Sequence, residues 1–457
     1  MKGFLNFFKN FKNLALFLAT LAIASYGAYW LVFMPKESLF GLVQLVDKTW
    51  PAPQKTATPS KKIVSKPRVK ETMTAISQDD IMASEQDERG GEIRDLSKSV
   101  IDAILKDREN RVSDLFTPSN ELRSRIEFWF KIYSIYTISH AVIHDADRPW
   151  LIYEVVHLNP VYDKFKKGSE RRAEKARLIR EAKKRAQAKG AKNIRLQLGQ
   201  KDSVVYAIKK SGRYLKSMEK IFSDEKLPVE LTRIPFLESS FNLNAYSKDG
   251  ASGVWQFMSK TGNVFLTVSQ AAGIDERRHP LKATYAATRL LKQNYKIFKE
   301  WPLAITAYNH GPGGLLQGIK KLGTKNLARL IEKYDHPYFG FASKNFYSEF
   351  LAVLHVEKYQ DKIFGYLKPD PHLEHDDIEI QYSMRVKYIT ELCKVTLDEI
   401  KIYNPDLQQK ALDSHSYLPE GYYLKLPKGK KSGLLKFYKE VEETNRLLDQ
   451  MLGKEKD

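Results

Sequence analysis

Residues 14–34 run for 21 positions without a charge, with Lys2, Lys9 and Lys12 before them and Lys36 after them. That length suits a helix crossing a bilayer, and a basic flank stays on the cytoplasmic side. The segment predicts a transmembrane anchor over 14–34 behind a basic tail at 1–13, with the rest of the chain exported. The competing reading is a cleaved signal peptide, with Ala22-Ile23-Ala24 as its small-residue site. The anchor is favoured because apolar character continues well past that site, and Tyr26, Tyr29 and Trp30 fit an interfacial aromatic belt. The single cysteine, Cys393, is far from the span, which excludes a lipid-anchored cysteine there and a disulfide framework.

The chain carries 75 Lys and Arg against 55 Asp and Glu, a formal charge of +20. Such a surface favours polyanions, and export argues against nucleic acid as the partner. Residues 35–75 read as a linker, since 51–68 are rich in Pro, Lys, Ser and Thr. Residues 76–200 read as a helical, partly basic region, with an apolar-aromatic cluster at Ile126, Phe128, Trp129, Phe130, Ile132 and Tyr133. Its stretch 163–192 is strongly basic, a solvated helix or a docking surface for anionic polymer. Residues 201–366 predict a mainly α module, in which Pro228 and Pro302 each open a helix. Gly311, Gly313 and Gly314 close the second of these. Residues 375–430 read as a small βααβ unit, and 431–457 as a tail. His372, His375, Glu374, Asp376 and Asp377 read as a polar interdomain loop rather than a metal site.

Three short constellations carry the chemistry. Glu238, in Leu237-Glu238-Ser239, falls at the end of the Pro228 helix among Ile234, Phe236, Leu237 and Phe241. Desolvation and the negative end of a helix both disfavour its anion, as a general acid near neutrality requires. Gly253-Val254-Trp255-Gln256 follows, preceded by Ser247, and Ala307-Tyr308-Asn309 ends the Pro302 helix. Most glycosidases need two carboxylates. Within these motifs only Glu238 is a candidate, because Asp249 sits in a Gly-flanked turn and Glu230 reads as a solvated helix residue.

In order and spacing these motifs resemble the soluble-type lytic transglycosylase domain, a lysozyme-like fold. Trp255, where Met is commoner, resembles the membrane-bound type D branch. The resemblance covers roughly 201–366. It implies cleavage of the β-1,4 bond between N-acetylmuramic acid and N-acetylglucosamine in peptidoglycan, without a cofactor or metal. Glu238 would protonate the leaving oxygen and then deprotonate the sugar's C6 hydroxyl, closing a 1,6-anhydro ring. Ser247, Gln256, Tyr308 and Asn309 fall on positions that hold the sugar or orient the acid. Phe346 stands where the family often has Tyr, and His310 replaces a small residue. The 375–430 unit resembles a peptidoglycan-binding LysM module through Tyr403-Asn404-Pro405-Asp406 and Leu418-Pro419-Glu420-Gly421, without the usual Gly-Asp-Thr. The expected fold is thus mainly α, with the helical region before the catalytic domain and the βααβ module after it. The expected place is the inner membrane by the single N-terminal helix, with the catalytic domain in the periplasm on glycan strands. A lysozyme-type hydrolase and a non-catalytic wall-binding scaffold are the competing readings. Nothing in the sequence fixes an oligomeric state.

Overall fold

The computed structural model describes residues 96–413 and 416–452, so the expected anchor at 14–34 and linker at 35–75 lie outside the described residues. Among the described residues no helix is long and apolar enough to cross a membrane. The described chain forms two compact units, one of residues 392–394 and 431–452, the other of residues 96–391 and 395–430. The first is dominated by the helix Ser432–Met451.

The second unit opens with α1 (Lys98–Leu105), capped by the Ser97 side chain, and α2 (Arg123–Ser134). The apolar-aromatic cluster read from the sequence lies on α2, and all six of its side chains are buried. The helical expectation for 76–200 needs a correction. This region holds β1 (His140–Asp145), β2 (Ile152–His157) and β3 (Ile194–Leu198), an antiparallel sheet in the order β2-β1-β3. Central β1 is buried on both faces from Ala141 to Asp145, and a short continuous apolar run shows no alternation to tell strand from helix. Between β2 and β3 lie α3 (Asn159–Lys164) and the basic helix α4 (Gly168–Ala188). Only the small Ala182 and Ala186 of α4 are buried, packed with Ala141, Ile143 and Val156. Its charges stay outside, with Arg177 paired to Glu174 and Glu181 at 2.6 Å each.

The remaining helices follow in close succession. They are α5 (Lys201–Ser211), α6 (Leu215–Asp224), α7 (Ile234–Ser239), α8 (Ser259–Phe265), α9 (Pro280–Phe298) and α10 (Trp301–His310). After them come α11 (Pro312–Leu322), α12 (Leu327–Lys333), α13 (Phe341–Lys358) and α14 (Gln360–Phe364). The chain is mainly helical, and one hydrophobic core runs from Ile101 on α1 to Ile363 on α14. Its axis is α13, buried on almost every face and packed against α2, α7 and α10. A helix apolar all round belongs inside.

Two punctuation signals act differently from expectation. Pro228 opens only a 3-10 helix, Val229–Arg233, and α7 starts afresh with Pro235 in its first turn, where a missing N–H costs nothing. Gly311 alone ends α10, at φ +88°, and Gly313 and Gly314 lie inside α11.

Between α8 and α9, β4 (Val268–Ser269) and β5 (Ile274–Asp275) form a short antiparallel pair. Beyond α14, β6 (His375–Glu379) pairs antiparallel with β9 (Tyr423–Pro427), and β7 (Met384–Arg385) pairs with β8 (Tyr417–Leu418). Between them lie α15 (Val386–Cys393), α16 (Leu397–Tyr403) and α17 (Gln409–Leu412). Strand character therefore begins at His375, inside the segment read as a loop. There Lys428 pairs with Asp376 at 3.0 Å, and Lys425 pairs with Asp377. The motif Asn404-Pro405-Asp406 faces the helical body: the Asp275 N–H donates to the Asp406 carbonyl at 2.9 Å, and the Gln408 N–H to the Gly273 carbonyl at 2.8 Å.

Candidate active site

Glu238 lies in the last turn of α7 and is 2% exposed. The helix ends abruptly after it, because Ser240 and Phe241 both take left-handed backbone angles, φ +51° and +57°. Such angles are rare for residues with a β-carbon, and rarer still for a bulky ring, so the surrounding packing must hold them. Phe241 is buried edge-on against Phe236, with ring centroids 4.8 Å apart.

The three sequence motifs are laced together by backbone carbonyls. The Ser239 hydroxyl donates to the Val254 carbonyl at 3.0 Å, tying the glutamate motif to the Gly253-Gln256 turn. The Tyr308 hydroxyl donates to the Trp255 carbonyl at 2.7 Å, tying that turn to the end of α10. Within the turn, the Gln256 amide donates to the carbonyls of Gly253 at 2.8 Å and Ala245 at 3.3 Å. Gln256 itself is left-handed at φ +48°. Gly253 is required on two counts: its φ is +74°, and a β-carbon there would lie 1.8 Å from the Arg277 carbonyl oxygen.

Arg277 fastens the same turn from below. It is buried, makes two contacts with Asp275 at 2.9 and 2.8 Å, and donates to the carbonyls of Gly250 at 2.8 Å and Phe257 at 3.1 Å. Trp255 points into the core, stacked on Phe222, with its indole N–H donating to Thr284 at 2.9 Å. The residue that marks the type D resemblance is therefore a packing residue.

Of the predicted site residues, Tyr308 stands beside Glu238. Burial, and then the Glu238 charge, push the Tyr308 phenol well above its ordinary range. Asn309 adjoins it, with its side-chain oxygen accepting from the Ser343 hydroxyl at 3.0 Å. The other end of that amide, Nδ2, is buried without an acceptor among the described residues. Ser247 is half-buried and occupied locally: its hydroxyl oxygen accepts the Ala251 N–H at 2.9 Å, closing its own turn. His310 packs edge-on to Phe339 at 5.0 Å, and burial, with nearby His336, lowers it to about 4. Phe346 is fully buried and stacks on Tyr308 at 6.3 Å and 9°. Tyr347 is buried beside it, its phenol pushed far up by that burial.

The motifs did not reveal a second carboxyl. Glu349, on α13, is 5% exposed, and its Oε2 accepts from the Tyr133 hydroxyl of α2 at 3.5 Å. Burial, and then the charge on Glu238, push Glu349 up to about 8. One signal for it was present: an acidic residue amid Phe346, Phe350, Leu351 and Val353 is a buried polar group, the informative kind of exception.

Residues 218–331 match the transglycosylase SLT domain family. Membrane-bound lytic murein transglycosylase D of Escherichia coli (strain K12) is 24% identical over 189 residues, 41% of this chain and 41% of that protein. A protein of Alteromonas sp. (strain M-1), named for tributyltin chloride resistance, is 36% identical over 100 residues, 22% of this chain and 48% of that one. Among solved structures, an inactive mutant of the lytic transglycosylase Slt from Pseudomonas aeruginosa matches at 19% identity and a TM-score of 0.26. That match covers 34% of this chain and 25% of that one. The chain thus carries a transglycosylase SLT domain, related in sequence to membrane-bound lytic murein transglycosylase D. It spans about two-fifths of that relative's length.

Proposed function

We propose that this protein is a peptidoglycan lytic transglycosylase that cleaves between N-acetylmuramic acid and N-acetylglucosamine and leaves 1,6-anhydro ends. The observation that carries this reading is the burial of Glu238 at an abruptly ended helix, laced to the Gly253-Gln256 turn and through it to the end of α10. A carboxyl group so placed is suited to carry a proton to the leaving glycosidic oxygen. The resulting carboxylate takes the proton of the sugar's C6 hydroxyl, whose oxygen closes on the anomeric carbon. No water is consumed. The buried Nδ2 of Asn309 is an idle donor suited to the carbonyl of an N-acetyl group. Tyr308 and Gln256 act by holding the turn and the acid in register, and Ser247 shapes the rim through its own turn.

The lysozyme-type alternative gains one supporting observation, since Glu349 is a second carboxyl near Glu238. A hydrolase of that kind needs its second carboxyl ionised, as base or nucleophile. Burial favours the protonated form of Glu349, and the matching family and the related sequence are transglycosylases, so the transglycosylase reading stands ahead.

The finer parts of the proposal are these. Residues 201–366 form the lytic transglycosylase catalytic domain, and residues 375–430 a LysM-like module that binds the same polymer. Residues 14–34 anchor the chain in the inner membrane with the body in the periplasm. The deciding experiment replaces Glu238 by Gln, which keeps shape and removes the proton, and reads the products by mass spectrometry. Wild type should release 1,6-anhydro ends, and the variant should lose about 10²-fold or more of its rate. Reducing ends from wild type would establish the hydrolase instead, and an undiminished Gln variant would remove Glu238 from its role.

A further inference from the structure

Asn309 and His310 are the last two residues of α10, and Ser343 stands in the first turn of α13. Ser343 is 1% exposed and lies outside the segment 218–331 that matches the SLT family. Its hydroxyl reaches two neighbours, the Asn309 side-chain oxygen at 3.0 Å and His310 Nδ1 at 3.3 Å. A hydroxyl has one proton to give and lone pairs with which to accept. The three side chains therefore form a chain with a direction. Either His310 donates to Ser343 and Ser343 to Asn309, or the amide turns round and the chain runs the other way. The first direction leaves the amide's Nδ2 for a ligand, and the second would leave its oxygen.

The surroundings of His310 select the first direction. Burial, with nearby His336, lowers the imidazole to about 4, so near neutrality it carries a single N–H. Nε2 is buried without a hydrogen-bond partner and faces α11, where a β-carbon on Gly314 would lie 2.4 Å from it. The Tyr338 carbonyl favours a proton on the ring but makes no hydrogen bond to Nε2. A buried N–H left unmet is the rarer and costlier orphan, and a bare acceptor the cheaper one. The proton accordingly belongs on Nδ1, where Ser343 accepts it. Ser343 then gives its own proton to Asn309, whose buried Nδ2 has no acceptor among the described residues.

We propose that Ser343 and His310 are positioning residues that fix the Asn309 amide with Nδ2 toward the substrate, so that the site selects a sugar offering an acceptor there. The proposal rests on the transglycosylase reading given above, in which that acceptor is the carbonyl of an N-acetyl group. A de-N-acetylated sugar presents an ammonium in the same place, and an ammonium has donors only. Two facing donors cannot bond, so an amide held in this sense discriminates against such a sugar. His310, which stands where a small residue is usual, is thus the fixed end of the chain.

The test uses the full-length chain in detergent, with acetylated glycan strands and the same strands chemically N-deacetylated. kcat/KM on each is compared for wild type, Ser343→Ala and His310→Ala, with melting temperatures to establish folding. Wild type should prefer the acetylated strands. Ser343→Ala frees the amide to turn, so that preference should fall about tenfold, the worth of one good hydrogen bond. His310→Ala lets the hydroxyl point either way, so its preference should fall by less, and it serves as the reading if Ser343→Ala does not fold. A merely structural role would lower both rates by one factor, and an unchanged preference in either folded variant would overturn the proposal. The second measurement needs no wall cleavage. Nitrogen-15 NMR of the histidine-labelled chain, with His310→Ala to assign the signal, should find the His310 proton on Nδ1 near neutral pH. A proton on Nε2 would refute the direction of the chain. Reducing ends released by wild type would instead remove the transglycosylase reading and leave the tautomer standing.

Discussion

The Ser239 hydroxyl donates to the Val254 carbonyl at 3.0 Å, so the residue next to the candidate acid holds the turn that carries Gln256. Both partners are buried, and neither can turn to water if the bond is lost. Ser239→Ala should therefore cost about 1–3 kcal/mol, the penalty of stranding a buried acceptor. Thermal unfolding and wall-cleaving rate should fall together, because the same bond positions α7 against the turn. A variant with wild-type melting but reduced rate would place Ser239 in contact with substrate rather than in the frame.

A second prediction concerns the attachment of the 375–430 unit. Asp406 is fully buried, and its Oδ2 accepts from Lys282 at 2.8 Å and from Tyr422 at 2.9 Å. Lys282 also contacts Glu276 at 3.0 Å and lies 3.8 Å over the Tyr422 ring. Removing one partner of a buried pair leaves an uncompensated charge, at about 3–5 kcal/mol. Glu276 softens that loss, so Asp406→Ala should fall at the lower end. The segment 365–374 carries no helix or strand. Limited proteolysis should cut it faster in the variant, with denaturant unfolding measuring the lost stability. Equal cutting rates in both proteins would show that the unit is held by other contacts.

The sequence pointed to the candidate acid but not to its surroundings. Glu238, the Gly253-Gln256 turn and Ala307-Tyr308-Asn309 are local signals, each written in a few consecutive residues around a helix end. Tyr133 and Glu349 are 216 positions apart, and only the packing of α2 on α13 brings them together. No spacing rule reaches so far. The β2-β1-β3 sheet escaped for a different reason. Its central strand is buried on both faces, so the period of two that marks a half-exposed strand is absent. At the C-terminal end only the last strand was plainly legible, because β9 alternates, with Leu424 and Leu426 buried and Tyr423 exposed. What held that unit to the body, Asp406 on Lys282, was again a long-range pair.

The pH dependence of folding separates Glu349 from the histidines. Glu349 is raised from 4.5 to about 8 by burial and by the Glu238 charge. Below about 4.5 both the folded and unfolded chains hold its proton, so its contribution to stability is fully present there. Between 4.5 and 8 the unfolded chain releases the proton and the folded chain keeps it, and stability is lost as pH rises. His144 and His310 act in the opposite sense, each lowered by burial from 6.5 to about 4. Their contribution is present above 6.5 and is lost as pH falls through 4, because the unfolded chain takes up protons that the folded chain refuses. Glu349→Gln removes only the first effect. Its stability relative to wild type should be smallest near pH 4.5, grow with rising pH and level off above about 8, by several kcal/mol in all. Denaturant unfolding of both proteins across that range measures the difference directly. A constant offset at every pH would mean that Glu349 is ionised in the folded protein, and that the site holds two carboxylates after all.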